Sequence, residues 1–144
     1  ESRRFSDPKY GGEGKRVGFA DGYAFLMIGE ASLADLNARL AERQQAAVPM
    51  NRFRPNFVVS GAGPYAEDAW KQIRIGDCVF AGAKPCGRCQ VTTTDQSTGE
   101  VTGPEPLATL ATYRDSAEFG TMFGMNLVME RPGRVRVGDA VEPD

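Results

Sequence analysis

Trp70-Lys71-Gln72-Ile73-Arg74-Ile75-Gly76-Asp77-Cys78-Val79-Phe80-Ala81-Gly82-Ala83 is the stretch that decides the fold class. Two short runs, 70–75 and 78–83, flank a Gly-Asp pair, which signals a β-hairpin or a tight bend. Cys78 alternates with Val79 and Phe80 and reads as an inert strand thiol, while Trp70 reads as core. Outward from this hairpin the chain keeps to short segments. Residues 23–28 are apolar and predict a buried strand, and Phe57-Val58-Val59-Ser60 predicts another. The β-branched run 90–94 predicts a strand closed by a turn near Asp95-Gln96-Ser97-Thr98-Gly99. Residues 125–130 and 134–141, split by Pro132-Gly133, predict the last strands.

Helical spacing is confined to two places. Leu33, Leu36 and Leu40 recur at three and four residues behind Ser32, which predicts an amphipathic helix capped by Ser32 and running to about Gln44. Leu107, Leu110 and Tyr113 predict one or two helical turns after Pro106. Glycine (17) and proline (9) together make up 26 of 144 residues, which favours turns and short strands over a helical bundle. The expected fold is mainly β with one or two helices, a small β-barrel or curled antiparallel sheet.

A chain of 144 residues suits one globular domain with a real core. Residues 1–16 are polar and Gly-rich and read as a flexible leader, with the domain over 17–144. The chain opens on Glu1 rather than methionine, which reads as a piece of a longer protein. With a net charge of −2 and a pI of 5.3 it lacks the basic footprint of a nucleic-acid binder. The apolar run 25–28 is far short of the roughly 20 residues that span a bilayer, so no membrane partner is expected. There is no histidine, which excludes Ser-His-Asp hydrolysis, Cys-His proteolysis and every histidine-containing zinc site. Three cysteines are too few and too odd for a disulfide framework, and a reducing, cytoplasmic location is expected.

Lys84-Pro85-Cys86-Gly87-Arg88-Cys89 is the first constellation with chemistry in it. On spacing alone it has four readings: a zinc site short of a ligand, a thioredoxin-like pair, one thiolate on a soft or high-valent metal, or two partly buried thiols in a loop. In the third reading Arg88 and Lys84 would favour the thiolate. The second constellation is Arg52-Phe53-Arg54-Pro55-Asn56. Pro55 predicts an extended Arg54, and alternation then places Arg52, Arg54 and Asn56 on one face, suited to phosphates and heterocycle edges. A strand edge with solvated arginines is the plainer alternative. Glu67-Asp68 reads as a solvated loop or a helix N-terminus, and Phe119-Gly120 and Phe123-Gly124 read as turns.

Taken in order, Phe19-Ala20-Asp21-Gly22, Glu30-Ala31-Ser32-Leu33, Arg52-Phe53-Arg54-Pro55-Asn56, Glu67-Asp68-x-Trp70, Ile75-Gly76-Asp77, Cys86-x-Arg88-Cys89, Thr98-Gly99, Glu105-Pro106-Leu107 and Val137-Gly138-Asp139 resemble the pattern of MOSC domains, named for the C-terminal domain of molybdenum cofactor sulfurase. The resemblance covers roughly residues 17–141. Cys89-x-x-Thr92-Thr93-x-Asp95 with Thr98-Gly99 is most similar to bacterial relatives of the mitochondrial amidoxime-reducing component, although Gln90 is reminiscent of the sulfurases.

That resemblance implies a β-barrel-centred fold and a molybdopterin cofactor whose molybdenum is bound by Cys89. It implies cofactor contacts at Arg54 and Asn56, with Asp21, Arg88 and Asn126 at or beside others. The implied activity is two-electron reduction of N-hydroxylated substrates. A ferredoxin-like or other electron donor and an N-terminal barrel domain of the parent protein are the implied partners. The alternative within the family is a cofactor carrier or sulfur-transfer domain. Pyridoxal phosphate belongs to that alternative at the level of the family, since this chain has no lysine in a recognisable Schiff-base motif. Gly87 is a departure, because the reductases often carry serine there.

Overall fold

The computed structural model describes residues 3–5, 16–17 and 25–143. Strands β1 (Arg3–Phe5) and β2 (Arg16–Val17) lead to β3 (Phe25–Gly29), helix α1 (Glu30–Glu42) and β4 (Phe57–Ser60). The hairpin β5 (Gln72–Ile75) and β6 (Cys78–Gly87) follows, then helix α2 (Leu107–Ala111) and β7 (Asp115–Ser116). The long β8 (Gly120–Arg131), β9 (Gly133–Arg134) and β10 (Ala140–Pro143) end the chain. Short 3-10 turns occupy Met50–Arg52, Ala66–Ala69 and Gln90–Thr93. β1 and Arg16 fall within the stretch read as a leader. The rest of that stretch, and the Phe19-Ala20-Asp21-Gly22 motif, lie outside the described residues.

The strands pair in the order β3-β4-β1-β10-β5-β6-β8-β7, and β8 pairs back onto β3, so the sheet closes on itself. β2 and β9 form a separate ribbon. The fold is therefore the expected mainly β barrel with two helices. Among the described strands only β3 and β4 run parallel, and α1 makes the crossover between them. The hairpin read from Gly76-Asp77 is present, with Ile75 opposite Cys78 and Gln72 opposite Ala81.

Two apolar cores result from the alternation of side chains along β3. Met27 joins Phe57, Ile73, Ile75, Phe80 and Leu127 inside the barrel. Its neighbour Ile28 faces the other way, against Leu36 and Leu40 of α1, Leu110 of α2, Phe53 and Phe123. Leu36 and Leu40 are fully buried, as their spacing predicts, with Leu33 partly buried beside them.

Four local expectations are corrected. Ser32 is not the cap of α1: the helix starts at Glu30, Gly29 holds the N-cap position, and Ser32 is buried in the first turn. The cap comes from far along the chain, where Glu67 Oε2 accepts hydrogen bonds from Gly29 N (2.9 Å) and Ser32 Oγ (2.7 Å). Glu67 is therefore not a solvated loop residue; it is 1% exposed. Gln90–Thr93 form a 3-10 turn and Thr94 a single bridge to Val101, rather than the strand expected over 90–94, because Thr92 and Thr93 turn their hydroxyls back onto the carbonyls of Cys89 and Gln90. Residues 134–141 are not one strand, because a turn closed by Arg136 N and Asp139 Oδ2 separates β9 from β10.

A further correction concerns β8, which begins at Gly120 and runs through Phe123-Gly124. Pro85 is opposite Met125 and Gly87 is opposite Met122, so β8 carries an extra residue here, and Gly124 sits at φ +93°. This bulge turns Phe123 toward the helices while Met125 faces the barrel. Gly124→Ala should cost about 2 kcal/mol or more, combining left-handed strain with a Cβ 2.9 Å from Leu26 Cδ1. Gly120→Ala, at φ +74° with nothing within 4 Å, should cost only the strain, about 1 kcal/mol. Urea midpoints of the two variants test this, and equal losses would show that the Leu26 contact is irrelevant.

Burial lifts the Glu67 carboxyl above its ordinary range, outweighing the bonds from Gly29 and Ser32. The folded chain then holds a proton at Glu67 more readily than the unfolded one. This group's stabilising contribution is full below its ordinary value of 4.5 and is lost as pH rises through the raised folded value. Glu67→Gln keeps the acceptor without the charge. Wild type should therefore lose ground against Glu67→Gln as pH rises above 4.5. A stability gap between the two that stays flat with pH would contradict the raised value.

Candidate functional site

Three segments meet at one rim of the barrel: the loop 52–56 entering β4, the end of β6 with the turn after it, and the middle of β8. The loop does not have the geometry its sequence predicts. Phe53 turns inward and stacks on Phe123 at 4.4 Å between ring centroids, while Asn56 is tied to β3 by an Asn56 N to Leu26 O bond of 2.8 Å. The chain must reverse between these anchors, and Arg54 absorbs the reversal at φ +55° instead of remaining extended before Pro55. A left-handed arginine costs about 1–2 kcal/mol. Arg52 and Arg54 consequently do not share a face. Arg54 is exposed, whereas Arg52 is 8% exposed.

Two arginines cross-link the loop to the segment that carries the cysteines. Arg88 Nη2 donates to Phe53 O at 2.8 Å and its Nη1 donates to Cys86 Sγ at 3.2 Å, with the guanidinium 5.4 Å from the Phe53 ring centroid. In the opposite direction Arg52 Nη1 donates to Thr92 O at 3.3 Å. Thr92 in turn donates from its backbone N (3.1 Å) and its Oγ1 (2.9 Å) to Cys89 O. Cys89 is thus the first residue of a turn whose backbone is held on both sides, and its own thiol is exposed.

The three cysteines have different environments. Cys78 is buried in β6, as expected, and burial raises its thiol above the ordinary range. Cys86 is half-buried under Arg88, and Cys89 stands free at the surface. No group of three or more Cys, Asp or Glu side chains placed to hold a metal ion occurs among the described residues.

Gly87 is explained by the packing here. A Cβ at residue 87 would lie 2.3 Å from Phe119 O, so a serine side chain does not fit without a backbone shift. The Arg88 N to Thr121 O bond (2.6 Å) fixes that close approach.

Asn56 and Asn126 come together through Leu26. Asn56 Oδ1 accepts from Leu26 N at 2.8 Å, which sets the amide orientation and leaves Nδ2 as the outward donor. Asn126 lies directly opposite Leu26 in the β3–β8 pair and opposite Lys84 in the β6–β8 pair. Directly opposed residues share a face, so Asn126 and Lys84 project from the same side of the sheet. The structure thus gathers Arg54, Asn56, Arg88 and Cys89 through bonded neighbours, with Asn126 two strands across. Asp21 lies outside the described residues. The roles of the Phe53 carbonyl and of Arg52 were not legible in the sequence, because backbone acceptors leave no mark in side-chain patterns.

The donor set suits a soft metal and an anionic heterocycle: an exposed thiol, outward guanidinium and amide donors, and no competing acid among these residues. A family model described as MOSC domain matches residues 14–142. Mitochondrial amidoxime-reducing component 1 of Mus musculus is 44% identical over 133 residues, covering 88% of this chain and 38% of that protein. Molybdenum cofactor sulfurase of Arabidopsis thaliana is 40% identical over 138 residues, covering 89% of this chain and 17% of that protein. The chain thus spans well under half the length of these curated relatives. Among solved structures, YiiM from Escherichia coli superposes with a TM-score of 0.61 at 12% identity, covering 99% of this chain and 68% of that one. At that identity the likeness concerns the fold alone.

Brief alkylation of the native chain with iodoacetamide, read by peptide mass spectrometry, should modify Cys89 first. Cys78 should react only after denaturation. Labelling of Cys78 as fast as Cys89 would contradict the burial described above.

Proposed function

The chain belongs to the MOSC domain family, and from that premise we propose that it is the molybdenum-cofactor-binding domain of an oxidoreductase that reduces N-hydroxylated substrates. The observation that carries this reading is the exposed Cys89 thiol, held at the start of a turn that two arginines bind to the loop bearing Arg54 and Asn56. The 44% identity to an amidoxime-reducing component supports the substrate class.

In this reading Cys89 binds molybdenum as a thiolate. When bound, the cofactor supplies a metal that changes oxidation state by two electrons and passes one oxo group. The chain's own residues orient it. Arg54 presents its guanidinium outward from a backbone conformation that the Phe53 and Asn56 anchors impose. Asn56 offers its Nδ2 donor, and Asn126 offers its amide from β8. Arg88, with two of its donors already used on Phe53 O and Cys86, acts mainly by setting the distance between the two segments. Asp21 is proposed as a further contact.

The parent protein is proposed to add an N-terminal barrel domain that contributes basic residues to the cofactor phosphate. A ferredoxin-like or other redox partner would deliver electrons. A cytoplasmic location is proposed from the odd count of three cysteines. No helix among the described residues is long and apolar enough to cross a membrane.

A second reading, a cofactor carrier or sulfur-transfer domain without its own turnover, is favoured by the 40% identity to a molybdenum cofactor sulfurase. Dependence of activity on an added electron donor separates the two, because only the reductase needs one.

Molybdenum and pterin content of the parent protein, purified from cells that make the cofactor, tests the proposal. Near-stoichiometric metal in wild type should fall at least ~10-fold in Cys89→Ser, as for loss of a direct ligand, and much less in Cys86→Ala. Equal losses in both variants would favour a dithiol or zinc site. Absence of metal from all three would overturn the oxidoreductase reading.

A further inference from the structure

Beside the Cys89 turn, and outside the residues assigned to the cofactor, lies a cleft of about 200 Å³ between the end of α1 and the loop before α2. One of its walls is the side chain of Arg52. Arg52 as a residue is 8% exposed, and a charged side chain so largely buried normally has an anionic partner. It has none within ion-pair distance among the described residues: the pairs there are Arg39–Asp35, Arg43–Glu105 and Arg114–Asp68. Of the five N–H donors that a guanidinium carries, one is used among the described residues, on Thr92 O.

The nearby acids are engaged elsewhere. Glu105 lines the same cleft, but its Oε1 accepts from Thr109 N at 2.8 Å and its Oε2 lies 3.8 Å from Arg43 Nη2. Asp95 Oδ1 accepts from Ser97 N, Ser97 Oγ and Thr98 N within its own exposed turn. The Ser97 bonds are the main cause that holds its carboxyl below the ordinary range, with Arg52 contributing least.

We propose that this cleft binds a small monoanionic carboxylate with a short hydrocarbon portion, the carboxylate on Arg52. The guanidinium fork matches two carboxylate oxygens. Ala46, Ala47, Val48 and Pro104 supply an apolar wall for the remainder of the ligand. Charge decides between a carboxylate and a phosphate. Arg52 and Glu105 are the two charged side chains that line the cleft, so one lining cation is there to meet a monoanion, whereas a dianion would bring a second charge toward Glu105 with no further lining cation to offset it. The proposal does not depend on the cofactor reading, since none of these side chains is assigned to the cofactor.

The test is a titration of the 15N-labelled 144-residue chain with sodium butyrate at constant ionic strength, followed by amide chemical shifts. The expected result is saturable shifts at residues 45–48 and Thr102, with a dissociation constant on the order of 1 mM. Butanol and inorganic phosphate should produce no saturable shift there. Arg52→Gln should weaken binding at least ~10-fold. Should that variant fail to fold, Ala47→Phe, which fills the cleft from an exposed position and leaves Arg52 intact, should produce the same loss. The assignment is overturned by absence of saturable shifts with butyrate, by equal binding of butanol, by phosphate binding as tightly as butyrate, or by undiminished binding to Ala47→Phe.

Discussion

β3 is the strand on which the rest of the molecule is assembled. It pairs in parallel with β4 on one side and antiparallel with β8 on the other, and without it the sheet has two open edges rather than a closed wall. Burial of Met27 and Ile28 on opposite faces leaves its peptide groups no access to water, so both edges must be paired. Leu26 extends this pairing past β4, where the chain supplies an asparagine side chain in place of another strand residue. The same peptide that ends the β3–β4 pairing therefore brings Asn56 to the row occupied by Asn126.

The site is organised by backbone carbonyls as much as by side chains. Arg88 and Arg52 each reach across to a carbonyl on the other's segment, so the cysteine turn and the loop 52–56 act as one unit. A hydrogen bond from a charged donor contributes about 1.5–3 kcal/mol, and these two act where no regular ladder joins the segments. The arrangement also accounts for the unequal cysteines. Cys86 is drawn under a guanidinium, while Cys89, three residues on, begins a turn stabilised by its own carbonyl and keeps its sulfur in the open.

Much of the barrel was legible because its signals are local. Gly76-Asp77 marks the β5–β6 hairpin, and Leu33, Leu36 and Leu40 mark the buried face of α1. The misreadings have two physical causes: a distant partner takes the place of a local one, or a local side-chain bond curls the chain out of a strand. Ser32 looks like a cap, but Glu67 supplies the cap from 35 residues away. Thr92 and Thr93 look like strand residues, but their hydroxyls bind the preceding carbonyls and curl the chain. Arg54 is extended by the rule for residues before proline, but Phe53 stacking and the Leu26 bonds fix the chain on either side of it. The candidate residues themselves were legible; the conformations that present them were not.

The bulge at Gly124 gives β8 two reading frames. Counting from Met125 onward, odd-numbered positions such as Leu127 point into the barrel; before the glycine, the odd position 123 points to the helices. One strand thereby serves as a shared boundary wall, and parity along it is meaningful only on one side of the break. Loss of Gly124 would exchange inner and outer faces of the strand's first part, placing Met122 where Phe123 now anchors Phe53. The cysteine turn, bonded through Arg88 to both Thr121 and Phe53, would register that slip immediately. Insertions and deletions in this protein are therefore constrained most where a glycine makes the chain look most permissive.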